Sequence, residues 1–288
     1  MSAPSRPAVR WHGGKWKLAP WIISHFPAHR VYVEPFGGGA SVLLRKPRAY
    51  AEVYNDLDGE VVNLFRVLRD AEQSQHLIAQ VALTPFSRDE FKDAYQRSDD
   101  PVERARRLLI RSFMGFGSDG ATGDWRTGFR ANSSRSGTTP AHDWANYPRA
   151  LEVIARRLKW LVVENKDAVA VSRQHDGPET LHYYDPPYGH DTRSRKSRRR
   201  GGGEVAAYRH EMSDAQHEKL LADLRTLEGF VVLSGYPWPL YDEALRDWTR
   251  VETVAHADGA RPRTEVLWIN PACAERLRSH GPLFEAAA

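Results

Sequence analysis

The run Arg30 to Glu34 (RVYVE) passes with no spacer into PFGGGA and then into SVLL. That order reads as a strand, a Gly-rich turn and a helix, because glycines let the backbone turn sharply between elements of different period. A second strand-like run, AEVYN at 51–55, ends in Asp56, and DGEVVNLFRVL behind it has apolar residues at helical spacing. Strand-like runs return at WLVVE (160–164), LHYYDPPY (181–188), GFVVLSGY (229–236) and TEVLWIN (264–270). Helices separate them, one with a capping signal in SDAQ at 213–216. Alternation of this kind specifies a doubly wound α/β sheet.

The alternation is interrupted. From about residue 70 the chain turns to charged helical segments, with a capping pattern at SRDE (87–90) and an amphipathic, basic-faced helix at PVERARRLLIRSFM (101–114). Residues 115–148 are rich in Gly, Ser, Thr, Asn and Arg and have neither period. The expected organisation is therefore one α/β domain formed by 1–69 and 151–288, split by a mainly helical insertion at 70–150. With 288 residues, 41% of them hydrophobic, the chain can bury a core of that size.

The composition narrows the partners. A net charge of +4, with six basic residues among the eight from Arg193 to Arg200, favours a polyanion. The single cysteine, Cys273, forms neither an internal disulfide nor a Cys-rich zinc site, so no metal is implied and a reducing compartment is expected. No apolar run approaches the roughly 18 residues that span a bilayer. The expected setting is the cytoplasm, with no membrane and no obligate protein partner.

Three segments carry chemistry. DPPY, Asp185 to Tyr188, ends an apolar strand at the edge where open α/β sheets bind ligands. Two prolines stiffen the backbone and remove two amide donors. A carboxylate (Asp185), the Pro186 carbonyl and an aromatic face (Tyr188) then converge within four residues. An exocyclic amine on a planar base needs that set, because its lone pair is delocalised and both N–H bonds must be held as the nitrogen becomes tetrahedral. The second segment, VEPFGGGAS (33–41), brings backbone close to a ligand, and Asp56 about 20 positions on is placed to accept ribose hydroxyls. It is followed by no Gly-Lys-Ser/Thr, and Val42 replaces the last glycine of GxGxxG, which argues against a P-loop or a dinucleotide enzyme. The third, RWHGGK (10–15), puts Trp11 and Lys15 ahead of the first strand, an aromatic and an ammonium suited to a cofactor bearing a nucleoside and a carboxylate.

In this order the three segments resemble the Dam-type DNA adenine-N6 methyltransferases, over Arg10 to about Asn270 and including NDLD (55–58), SGYPWPLYDEAL (234–245) and EVLWIN (265–270). The resemblance implies a Rossmann-like sheet binding S-adenosylmethionine (AdoMet), an inserted target-recognition region, and methyl transfer to a flipped-out adenine of double-stranded DNA. It implies that Trp11, Lys15, Phe36, Gly37, Gly39, Ser41, Asp56 and Asp167 line the AdoMet site, and that Asp185, Pro186, Pro187 and Tyr188 form the catalytic motif. In the recognition region this chain departs from the family pattern, reading GFRANSSRSGTTPAHDW at 128–144. Arg130, Asn132 and Arg135 are expected base or phosphate contacts there, and Arg193, Arg195 and Lys196 expected phosphate contacts, but no target sequence is inferred. The competing readings are a methyltransferase for cytosine N4, RNA adenine or protein glutamine, and a catalytically silent nucleic-acid-binding module.

Overall fold

The computed structural model describes residues 3–117, 121, 126–132, 137–188, 211–256 and 262–280. Seven strands form one sheet: β1 (Val31–Glu34), β2 (Ala51–Asn55), β3 (Val162–Glu164), β4 (Thr180–Tyr184), β5 (Phe230–Gly235), β6 (Thr249–His256) and β7 (Pro262–Ile269), in the order β3-β2-β1-β4-β5-β7-β6. The first five are parallel, while β7 runs antiparallel to both β5 and β6. This is the Rossmann-like sheet that the resemblance implies, with an antiparallel strand inserted at one side. Strand order reverses between β1 and β4, which opens a crevice beyond their carboxyl ends. The Gly-rich turn leaves β1 and DPPY leaves β4, so both motifs face that crevice.

Twelve helices are described: α1 (Ala19–Ile23), α2 (Ser41–Arg45), α3 (Gly59–Arg69), α4 (Ala71–Leu83), α5 (Arg88–Asp93), α6 (Pro101–Met114), α7 (Pro140–Ala145), α8 (Tyr147–Leu158), α9 (Ala168–Gln174), α10 (Asp214–Leu224), α11 (Pro239–Ala244) and α12 (Pro271–His280). Side-chain acceptors start several of them, satisfying amides that the helix itself leaves open. Asp58, Asp70, Ser87 and Asp100 cap α3 to α6, and Ser213 with Gln216 forms a complete capping box on α10. One hydrophobic cluster joins Tyr32 and Leu43 beside the sheet to Leu77, Leu108 and Leu151 on α4, α6 and α8. The helices after residue 70 are thus fastened to the sheet through a shared core.

Three local expectations change. The strand read at 160–164 begins only at Val162, because Trp160 is exposed and takes a left-handed φ of +74°. Strand β6 has no counterpart in the sequence reading: it is the charged outer edge of the sheet, with Arg250 and Glu252 in place of an apolar alternation. The basic face of α6 is turned inward to carboxylates and carbonyls. Arg104 pairs with Glu60, Arg106 with Glu103 and Glu90, Arg107 with Glu103, and Arg111 donates to the Ala94 carbonyl. Glu90, expected to reach back to its own helix start, is held by Arg106 at 2.8 Å. The arginines of α6, whose basic face alone suggests phosphate contact, therefore brace the helical layer instead.

Candidate active site

The carboxyl edge of the sheet holds a cavity of about 530 Å³, within the range of small-molecule sites. Among its lining residues are Trp11, Lys15, Phe36, Gly37, Gly39, Ser41, Asp56, Asp167, Asp185 and Pro187. Three remote stretches of sequence thus meet in one space.

The Gly-rich turn forms one wall. Gly38 has φ +46°, and a β-carbon there would lie 2.6 Å from the Trp11 indole nitrogen. Only glycine accommodates both that conformation and the tryptophan above it. Asp56, at the end of β2, accepts the Gly38 amide at 2.8 Å on one oxygen and the Asp58 amide at 2.8 Å on the other. These bonds fix the carboxylate plane. Phe36 lies against Tyr184, while Asp167 caps α9 by accepting the Ala170 amide at 2.9 Å. Asp167 therefore has a structural task besides its place on the cavity wall.

RWHGGK reaches the same space as a tight turn. The Gly14 amide donates to the Trp11 carbonyl, and Gly13 takes φ +71°. The chain before it is held by the helical layer: Ser112 on α6 accepts the Arg10 amide at 2.7 Å, and Tyr147 on α8 donates to the Ala8 carbonyl. Lys15, 5% exposed, extends from this anchored turn to Asp185, with Nζ 2.8 Å from Oδ1 and 2.9 Å from Oδ2. The same ammonium donates to the Tyr188 hydroxyl and to the Gly13 carbonyl.

Four residues that the sequence reading did not single out complete the surroundings. Ser234 on β5 donates to Asp185 Oδ1 at 3.1 Å, and Tyr236 packs on Tyr188 with ring centres 4.3 Å apart and planes tilted by 37°. Glu265 on β7 accepts the Tyr188 hydroxyl at 3.0 Å and lies 3.5 Å from Lys15 Nζ. Burial raises its carboxyl above the ordinary value, against the pull of Lys15 beside it. Glu34, at the end of β1, accepts from Tyr32 and from the Leu43 amide, and burial pushes it up to about 8. A signal existed for each carboxylate and for the serine. Glu34 and Ser234 are polar residues in otherwise apolar stretches and Glu265 begins the buried run EVLWI, where only a partner justifies the desolvation.

Of the expected DNA contacts, Arg130 donates Nη1 to the Phe113 carbonyl at 3.0 Å, near the end of α6. Asn132 is described, in a stretch without regular structure. Arg135, Arg193, Arg195 and Lys196 lie outside the described residues. Among the described residues no group of three or more His, Cys, Asp or Glu side chains is placed to hold a metal ion.

Comparison with known families places the chain. The model of the D12 class N6 adenine-specific DNA methyltransferases matches residues 11–225, which contain the Gly-rich turn, Asp56 and DPPY. The chain belongs to that family. The methyltransferase is 27% identical over 267 residues to a type II methyltransferase of Lactococcus lactis subsp. cremoris, covering 84% of this chain and 85% of that relative. It is 25% identical over 117 residues to the DNA adenine methylase of Escherichia coli (strain K12), covering 39% of this chain and 42% of that relative. Over 117 residues it is 27% identical to the DNA adenine methylase of Vibrio cholerae serotype O1 (strain ATCC 39315 / El Tor Inaba N16961). The methyltransferase is thus an adenine-specific enzyme acting on DNA, with AdoMet as the family's methyl donor.

Proposed function

We propose that the methyltransferase acts on a flipped-out adenine in double-stranded DNA, with Asp185 as the acceptor that holds the target amine. The observation carrying this reading is that Asp185 already binds a nitrogen donor, Lys15, across both carboxylate oxygens at the edge of the cavity. An exocyclic N6 group offers the same kind of donor. Asp185 and the Pro186 carbonyl take its two hydrogens, Pro187 keeps the DPPY turn rigid, and Tyr188, braced by Tyr236, supports the base ring.

The residues around the cavity fit AdoMet. The backbone at Gly37–Gly39 is open to a ligand, Asp56 offers acceptors for ribose hydroxyls, and Phe36 and Trp11 supply flat apolar surface. Ser41 and Lys15 line the same space, and Asp167 meets the adenine end. AdoMet, when bound, supplies the electrophilic methyl group. Transfer forms the N6–C bond, breaks the S–C bond, and leaves S-adenosylhomocysteine and a proton. Asp185 stabilises the positive charge that develops on N6 and is the first acceptor on that proton's route to solvent. Reaching the site requires the base to leave the duplex, at a cost of a few kcal/mol.

Target recognition belongs in this reading to residues 70–150, inserted into a catalytic domain formed by 1–69 and 151–288. Arg130, Asn132 and Arg135 are its polar contacts to DNA, and Arg193, Arg195 and Lys196 neutralise phosphate. The test is incubation of the whole protein with labelled AdoMet and, separately, double-stranded DNA, RNA and protein, followed by nucleoside analysis. N6-methyladenine from the duplex is the expected product. Label only in RNA or protein, or N4-methylcytosine from DNA, would overturn the proposal. Methylation-site sequencing of the product then defines the target motif.

A further inference from the structure

Lys15 stands between two carboxylates, and only one of them is in contact with it at full strength. Asp185 receives Nζ at 2.8 and 2.9 Å, whereas Glu265 lies 3.5 Å away. The lysine thereby spans both Asp185 oxygens while Ser234 takes a further acceptor direction on Oδ1, so an incoming amine competes with the ammonium for the oxygen that it needs. For the ammonium to yield that oxygen it must move, and a buried charge does not move without a counter-ion.

We propose that Glu265 is a positioning residue that receives Lys15 when the target base arrives, so that Asp185 becomes available to the N6 amine. The proposal rests on the reading of Asp185 given above. The motion is small, because Nζ need only close its distance to Glu265 from 3.5 Å to a contact like the one it now has with Asp185. Glu265 is suited to the task by its place. It is 4% exposed, its strand β7 is hydrogen-bonded to β5, and β5 carries Ser234 against Asp185. Its carboxylate also holds the Tyr188 hydroxyl, so the lysine's destination and the base-supporting ring share one anchor. A buried carboxylate whose charge is opposed by burial and favoured by Lys15 gains from the lysine's closer approach.

The test compares the wild type with E265Q, E265D, K15M and the E265Q/K15M double variant, all at saturating AdoMet. The DNA is a duplex carrying the motif found by methylation sequencing, with adenine or purine at the target position. E265Q is expected to slow single-turnover methylation about tenfold or more, equivalent to about 1.4 kcal/mol of barrier. Its AdoMet dissociation constant by calorimetry should stay within about threefold of wild type. Without any turnover, its preference in binding for adenine over purine should shrink, since the N6 amine no longer finds Asp185 vacated. E265D should recover most of both effects. In the K15M background, where there is no ammonium to move, E265Q should add less than about twofold. A full-sized effect of E265Q in that background, or an E265Q rate within about threefold of wild type, overturns the proposal. Should E265Q melt below the assay temperature, E265D is carried through the same cycle with the same criteria. A wild type that methylates no DNA defeats the earlier reading instead, so the two failures are distinct.

Discussion

Gly37→Ala isolates the geometry of the cofactor wall from its chemistry. A β-carbon at Gly37 would lie 2.2 Å from Cε2 and 2.5 Å from Cδ2 of Tyr54, and 3.0 Å from the Asn55 carbonyl oxygen. The tyrosine has nowhere to go. It is fully buried, its hydroxyl donates to the Gly38 carbonyl at 2.8 Å, and its ring packs on Phe65 with centres 4.5 Å apart. Overpacking of this kind costs about 1–3 kcal/mol, and a ring locked at both ends puts the cost near the top of that range. For a chain of this size the melting temperature should fall by roughly 2–4 °C per kcal/mol, hence about 5–10 °C. If the turn yields rather than the ring, the Gly38 amide leaves Asp56 and the acceptor that it orients is lost. AdoMet affinity should then fall about tenfold, a loss near 1.4 kcal/mol. Thermal melting and titration calorimetry on the same preparation read the two terms. A melting temperature within about 1 °C of wild type together with an unchanged dissociation constant would refute the packing argument.

Other perturbations separate the remaining roles. Asp185→Ala should keep AdoMet binding by calorimetry within about threefold while methyl transfer falls by far more than tenfold; turnover within about tenfold of wild type would reject its assignment. Asp56→Ala should weaken AdoMet binding and release the Gly38 and Asp58 amides, so an unchanged dissociation constant would remove it from the cofactor wall. Arg157→Met breaks a buried cluster in which Arg157 and Lys46 meet Glu52 at 2.6 and 2.8 Å, and should cost about 3–5 kcal/mol in denaturant titration. Burial opposes charge on Glu52, but hydrogen bonds and charge from Arg157 and Lys46 outweigh it and hold the carboxyl below its usual 4.5. The folded protein therefore binds this proton less readily than the unfolded chain. The resulting stability is present at neutral pH and is lost as pH falls below about 4.5, a slope that Glu52→Gln should flatten. Replacing Arg193, Arg195 and Lys196 by Ala should weaken binding to all DNA sequences alike and reduce the log–log salt slope by roughly 0.9 per lost contact.

Local sequence determined the elements that bear the chemistry. A strand running into glycines and a strand running into Asp-Pro-Pro-Tyr are legible because period, turn chemistry and loss of amide donors are properties of a few adjacent residues. Asp56 was legible for the same reason, as the acidic end of a strand at a characteristic distance from the glycines. What residues remote in sequence do to one another was not legible. The arginines of α6 looked like a surface for phosphate, and only the packed structure brings Glu60 and Glu90 against them. Edge strand β6 escaped notice because its half-buried positions, Val251, Thr253 and Ala255, include a polar residue and its exposed positions include Val254, so the alternation is not legible as an apolar pattern. Lys15 and Asp185 were each recognised, yet their pairing spans 170 positions and depends on α6 and α8 anchoring the chain before the Gly13 turn. Glu265 and Ser234 were legible only as polar residues beside buried apolar runs, a pattern that implies a partner without naming it. Their placement came from the sheet order, which sets β7 beside β5 and β5 beside β4, and so brings Ser234 to Asp185 and Glu265 to the Tyr188 hydroxyl.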